Sequence, residues 1–118
     1  MLLPVKKRKI GEVLVVEFED AKMLDEAVII EVGDELAAAV DECDGKKMLL
    51  DFSAVSFMSS SMIGKIVFLD KDCKKKGVDL RICSIAPSIM EVFNLMHLNK
   101  VLKIHKNPDE GLHGFGRI

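Results

Sequence analysis

Two hydrophobic periods alternate along the chain. Val5–Ile10 and Val13–Phe18 read as strands around the short turn Gly11-Glu12. In the second, Leu14, Val16 and Phe18 alternate with Val15 and Glu17, the period of two expected of a half-buried strand. The short connection predicts an antiparallel hairpin. The period then changes. Asp25 is placed as an N-cap, and Ile29, Val32, Leu36, Val40 and Cys43 follow helical spacing up to the stop signal Asp44-Gly45. Gly33 lies inside that helix and weakens it by about 1 kcal/mol relative to alanine. The run 46–52, with Met48, Leu49 and Leu50 unbroken, suits a central strand covered on both faces.

A loop rich in hydroxyls comes next and leads into Ser59, Ser60 and Ser61. Met62, Ile66, Leu69 and Cys73 form the stripe of a second helix, with Ile63 and Val67 beside it. Lys74, Lys75 and Lys76 suit the negative end of its dipole, and Gly77 stops it. Residues 80–85 read as a strand. Pro87 opens a third helix with Ile89, Val92, Phe93 and Met96 at i, i+3, i+4 and i+7. Residues 101–105 form a last strand, and Asn107-Pro108 caps and opens a short final helix. The tail 111–118, with Gly114 and Gly116, is expected to fray. The order β-β-α-β-α-β-α-β-α predicts an α/β fold with a mixed, largely parallel sheet and right-handed crossovers.

Composition narrows the function. The 118 residues suit one domain, with a core over about residues 5–110. At 49% hydrophobic and 31% charged the chain is not disordered. No apolar run approaches the ~18 residues of a membrane span. Lys6, Lys7, Arg8 and Lys9 follow the first apolar residues in the wrong order for export, so a cytoplasmic location without membrane attachment is expected. Net charge is −2, against the positive excess of a phosphate-reading protein, so no direct nucleic-acid contact is expected. Residues 17–44 hold eleven acids and one base, Lys22, while 45–83 hold eight bases and four acids. That asymmetry is either two solvated helix faces or a polarised surface that steers a partner. The basic run 6–9 fits an edge strand protected from further pairing.

The three cysteines, Cys43, Cys73 and Cys83, form no C-x-x-C pair and read as reduced core thiols. His97, His105 and His113 fall at a helix end, a strand end and the tail, which makes no metal site. No P-loop or G-x-G-x-x-G is present, and no cofactor is expected. Among the methionines, Met23, Met48 and Met90 are placed in the core, and Met58 and Met62 flank the serine loop.

Chemistry concentrates in that loop. In an open α/β sheet, partners meet the loops at the carboxyl ends of the strands. Three hydroxyls opening a helix have a plain explanation, one serine serving as N-cap. They also suit phosphate acceptance, because a helix N-terminus offers unpaired N–H groups and partial positive charge. A phosphate adds about −1.5 to −2 charges, which the fold tolerates and a docked partner does not. Asp51 is expected to bond N–H groups of the loop, Ser53 to serve as a turn hydroxyl, and Gly64 to support the loop. A small serine hydrolase, pairing Ser60 with His97 or His105, lacks a G-x-S-x-G elbow.

The stretch Leu49-Leu50-Asp51-Phe52-Ser53-Ala54-Val55-Ser56-Phe57-Met58-Ser59-Ser60-Ser61-Met62-Ile63-Gly64 resembles the signature of STAS domains, the family of anti-sigma factor antagonists. Gly77-Val78-Asp79-Leu80 and Val92-Phe93-Asn94-Leu95-Met96-His97-Leu98 continue the similarity, which spans about residues 10–110. The resemblance implies a protein–protein switch rather than an enzyme. Such domains bind an anti-sigma factor that is also a serine kinase. Phosphorylation ends the interaction, and a serine phosphatase resets it. Position by position, the acceptor falls on Ser60, with Ser59 as the alternative, and the following small residue on Ser61. From their placement around the loop, Asp25, Met58, Ser59, Ser60, Ser61 and Met62 are expected to form the partner surface, although Leu24-Asp25-Glu26-Ala27 is only loosely like the family's segment there. Two positions depart from the family pattern. Ser59 stands where the family has aspartate, and Met62 where it has glycine. A non-phosphorylated module that binds a nucleotide or lipid-related ligand is the alternative within the same family.

Overall fold

The computed structural model describes residues 5–19, the backbone of 22–23, and residues 25–116. The strands are β1 (Val5–Ile10), β2 (Val13–Phe18), β3 (Lys22–Met23), β4 (Lys47–Asp51), β5 (Phe57–Met58), β6 (Asp79–Cys83) and β7 (Lys103–His105). The helices are α1 (Glu26–Glu42), α2 (Ser60–Lys76), α3 (Pro87–Leu95) and α4 (Pro108–His113), with a 3-10 turn at Leu98–Lys100.

Five strands form one sheet in the order β1-β2-β4-β6-β7. β1 and β2 pair antiparallel about Gly11, whose φ of 59° suits the tight turn. The remaining pairs are parallel. After the hairpin, each crossover moves the chain in the same direction across the sheet. Right-handed connections that never reverse must lie on one face, and α1, α2 and α3 all do. Their buried side chains meet Leu14, Val16, Met48, Leu50, Leu80 and Ile82 in the main core. The expected mixed, largely parallel α/β architecture is the one observed.

The opposite face carries a smaller cluster, Val13, Val15, Leu49 and Cys83, covered by Leu112 and Phe115. This corrects the expectation of a frayed tail over residues 111–116, while 117–118 lie outside the described residues. Gly111 is buried against Leu49, and a Cβ there would come within 2.7 Å of the leucine. Asn107 caps α4 by accepting the Glu110 N–H at 2.9 Å. Residues up to Gly116 are therefore structured, because Leu49 needs a cover on the face that α1 to α3 leave bare.

Capping follows the sequence reading. Asp25 Oδ1 accepts the Ala27 N–H at 2.9 Å. Gly77, at φ 74°, closes α2 in the left-handed conformation. Strand β1 is an edge strand, and its basic side chains are tied down: Lys7 to Glu35 and Glu42, Arg8 to Glu17, Lys9 to Asp44. Gly33 has a positive role. The Lys65 side chain lies across it, 3.1 Å from where a Cβ would stand, so α1 and α2 approach closely there. All three cysteines are buried and free, and burial pushes Cys73 up to about 12 and Cys83 to about 11. Met48 is in the core, Met90 is half-buried, and the side chain of Met23 lies outside the described residues.

Candidate functional site: the serine loop

The loop begins where β4 ends. Phe52 is fully buried and stacks on Phe18 of β2, with centroids 4.6 Å apart and planes 3° from parallel. That stack anchors the strand ends beneath the loop. Asp51 Oδ1 accepts the Ser53 N–H at 3.0 Å, and the Val55 N–H donates to the Phe52 carbonyl at 2.9 Å. These two bonds turn the chain back. Asp51 is only 5% exposed, with its carboxylate turned to the loop's own N–H rather than to solvent. Ser53 is exposed on the turn.

Strand β5 then pairs in parallel with β3, Lys22 opposite Phe57 and Met23 opposite Met58. This two-strand ribbon has a positional consequence. Asp25, the cap of α1, comes two residues after Met23, and Ser59, the cap of α2, one residue after Met58. Strands pair about 4.8 Å apart, so the ribbon holds the two helix starts side by side. Asp25 thus sits at the same end of the molecule as the serines. Leu24, expected at that edge, lies outside the described residues.

The three serines have different surroundings. Ser59 is half-buried, and its hydroxyl accepts the Met62 N–H at 3.3 Å. Its carbonyl accepts the Ile63 N–H at 3.1 Å. Ser59 is therefore the cap. Ser60 and Ser61 are exposed in the first turn of α2. That turn carries no acidic side chain of its own to offset the positive end of the α2 dipole. A negative group on Ser60 would meet a favourable field on its own chain.

Three expected site residues are corrected. Met62 is 0% exposed and Met58 7%, so both pack in the main core and present nothing to a partner. The reason is helical phase: Met62 shares the buried stripe of Ile63 and Ile66. The long side chain in the glycine position of the family pattern thus points inward and leaves the approach to Ser60 open. Gly64 does not support the loop. It stands on the exposed face of α2, and a Cβ there would meet nothing within 4 Å. One surface residue escaped the sequence reading. Phe57 is 49% exposed beside the loop, and the alternation of β5, Phe57 out and Met58 in, is the signal that marks it.

Other chemistries find less here. Among the described residues no histidine hydrogen-bonds Ser59, Ser60 or Ser61. His105 Nε2 instead lies 3.3 Å from Arg81 Nη1, and His113 Nδ1 2.9 Å from the Asp109 carbonyl oxygen. Among the described residues no group of three or more His, Cys, Asp or Glu side chains is arranged to hold a metal. The one-way strand order has no reversal point, and so lacks the crevice in which doubly wound sheets seat nucleotides. A shallow pocket lined by Lys9, Gly11, Glu12, Leu14, Cys43, Asp44 and Gly45 lies at the far end of the sheet from the serines. No described helix is long and apolar enough to cross a membrane.

Known structures share this arrangement. An anti-sigma-factor antagonist (STAS) domain protein from Planctomyces limnophilus superposes with a TM-score of 0.83 at 22% identity, over 96% of this chain and 98% of that one. An anti-sigma factor antagonist from Mycobacterium paratuberculosis gives 0.82 at 17% identity, over 93% and 91%. The Bacillus cell fate determinant SpoIIAA, in its phosphorylated form, gives 0.72 at 15% identity, over 96% and 99%. At these identities the likeness is one of fold. The family model for the STAS domain matches residues 4–111, nearly the whole length, and the chain belongs to that family.

Proposed function

We propose that this protein is an anti-sigma factor antagonist, a switch that works by binding another protein rather than by catalysis. Its partner is an anti-sigma factor that is also a serine kinase, and phosphorylation of Ser60 releases it. A serine phosphatase restores the binding form. One observation carries this reading: Ser60 is exposed in the first turn of α2, beside a Ser59 whose hydroxyl is already committed to the cap.

The energetics support a switch of useful size. Two like charges ~5 Å apart at an effective dielectric of ~20 repel by about 3 kcal/mol. That is roughly a hundredfold in affinity, before the cost of desolvating a dianion. Within the chain the same charge faces a helix N-terminus, so the fold survives. Asp25 and Ser61 join Ser60 in the proposed contact surface. Both are exposed at the shared end of α1 and α2.

The test is phosphorylation by the cognate kinase with ATP, read by intact mass and peptide mapping, together with capture from native cells. The expected results are one phosphate on Ser60, none in Ser60→Ala, and an anti-sigma factor captured by wild type and Ser60→Ala but lost in Ser60→Asp. Ser60→Asp that keeps every complex of the wild type would falsify the switch.

A further inference from the structure

The contact surface drawn above, Asp25, Ser60 and Ser61, is polar throughout. A stable protein contact has an apolar centre, and aromatic rings seated in pockets of the partner carry much of its affinity. Phe57 is the exposed large apolar side chain nearest to Ser60 in the chain, three residues before it, and is 49% exposed. A lone exposed ring needs no explanation in itself. Its place beside the switch gives this one a use.

The position of the ring is fixed by its neighbours. Phe57 pairs with Lys22 in the β3–β5 ribbon, Met58 turns into the core, and Ser59 caps α2. Strand β5 also packs against α3. Alternation along β5 therefore holds the ring outward. Three residues of chain span at most ~11 Å. A standard interface covers about 800 Å² on each partner, a disc of about 16 Å radius. A protein docked end-on over Asp25, Ser60 and Ser61 thus covers Phe57 as well. The other exposed ring, Phe68, stands eight residues along α2 from Ser60. That is about 12 Å down the flank of the helix, away from the end that carries the serines.

We propose that Phe57 is the apolar anchor of the switch, its ring entering an apolar pocket of the anti-sigma factor beside the one that receives Ser60. The proposal rests on the function given above and names how the partner recognises this chain. The ring touches the partner and not the reacting hydroxyl. Its loss therefore weakens binding and raises KM, while kcat at saturation holds.

The experiment takes the anti-sigma factor identified by the capture described above. Its affinity for full-length variants is measured by calorimetry, and its KM and kcat with ATP by phosphate incorporation. Phe57→Thr removes the ring and keeps a strand-forming side chain. It is expected to bind about tenfold or more weakly, with KM raised by a similar factor and kcat within about twofold of wild type. Phe57→Leu, which keeps an apolar side chain, is expected to fall between the two. Phe68→Ala is expected to bind as wild type does. Wild-type affinity in Phe57→Thr, a loss confined to kcat, or an equal loss in Phe68→Ala overturns the proposal and leaves the switch at Ser60 standing. A Phe57→Thr protein without the circular dichroism of the wild type would show the ring to be structural, and also overturns it. A wild type that binds no anti-sigma factor overturns the switch and the anchor together.

Discussion

At the residue scale the serines divide the work. Ser59 holds the helix start and Ser60 faces solvent, although the two are adjacent and chemically identical. The division shows in stability. Ser59→Ala should cost about 1 kcal/mol, the usual loss of an N-cap. Ser60→Ala should stay within about 0.5 kcal/mol of wild type. Urea titration of both variants measures the pair, and equal losses would remove the assignment of the cap. Met62 belongs to the same scale. Its sequence position beside the serines suggests contact with a partner, yet its side chain is sealed in the core. Met62→Ala should therefore cost about 2–5 kcal/mol, the range for truncating a buried side chain, and leave partner affinity per folded molecule unchanged. A variant of normal stability with weakened binding would return Met62 to the surface.

At the scale of elements, the long strands and helices were readable because a period needs several residues to declare itself. The stripe of Ile29, Val32, Leu36 and Val40 predicts α1 within a residue of its ends. The paired strands β3 and β5 have two residues each, too few for any period, and they are what sets the two helix starts together. Glycine shows the same limit. Gly64 and Gly77 look alike in sequence, one inside α2 and one after it. Gly77 has φ 74°, a conformation alanine adopts at a cost of about 1 kcal/mol. Gly64 is helical with open space around it, so Gly64→Ala should raise stability by about 0.4–1 kcal/mol through the unfolded chain. Thermal melts of Gly64→Ala and Gly77→Ala should move in opposite directions.

The whole molecule is two-sided, and its lesser side depends on the last helix. There α4 meets a polar cluster as well as the apolar one. Gly114 backs onto His105 and Arg81, and Arg81 also lies over the Phe115 ring and reaches Asp79 at 3.3 Å. Arg81 only donates, so neutral His105 accepts through Nε2 and carries its proton on Nδ1. Burial first, and then the Arg81 charge, hold His105 below its ordinary value of 6.5, with Glu110 and Asp79 opposing. The unfolded chain therefore binds the proton more readily than the folded one. The contribution of neutral His105 is complete above pH 6.5 and is lost as pH falls through the lowered folded value. Unfolding free energy measured from pH 7.5 to 5.5 should decline, and the decline should flatten in His105→Gln. Identical slopes would exclude His105 as its source. Ending the chain at Asn107 would uncover Val13, Val15, Leu49 and Cys83. At about 1.5–3 kcal/mol per side chain the loss rivals a total stability of about 5–15 kcal/mol. The truncated protein should therefore unfold or aggregate, which light scattering and circular dichroism detect.

From residue order alone come the alternation of strands and helices, the caps at Asp25 and Asn107, the stop at Gly77, and the loop in which chemistry gathers. All are local, set by dihedral preference and periodicity within a few residues. Even the bare second face left a trace, since an unbroken Met48-Leu49-Leu50 demands cover on both sides. What supplies that cover, which of three neighbouring serines caps α2, and whether Met58 and Met62 face a partner or the core were decided by tertiary structure. Each turns on groups far apart in the chain: Leu112 and Phe115 over Leu49, β3 against β5, α2 rotated so that its apolar stripe meets the sheet. Such contacts form only when distant segments are packed together, and no local pattern specifies them.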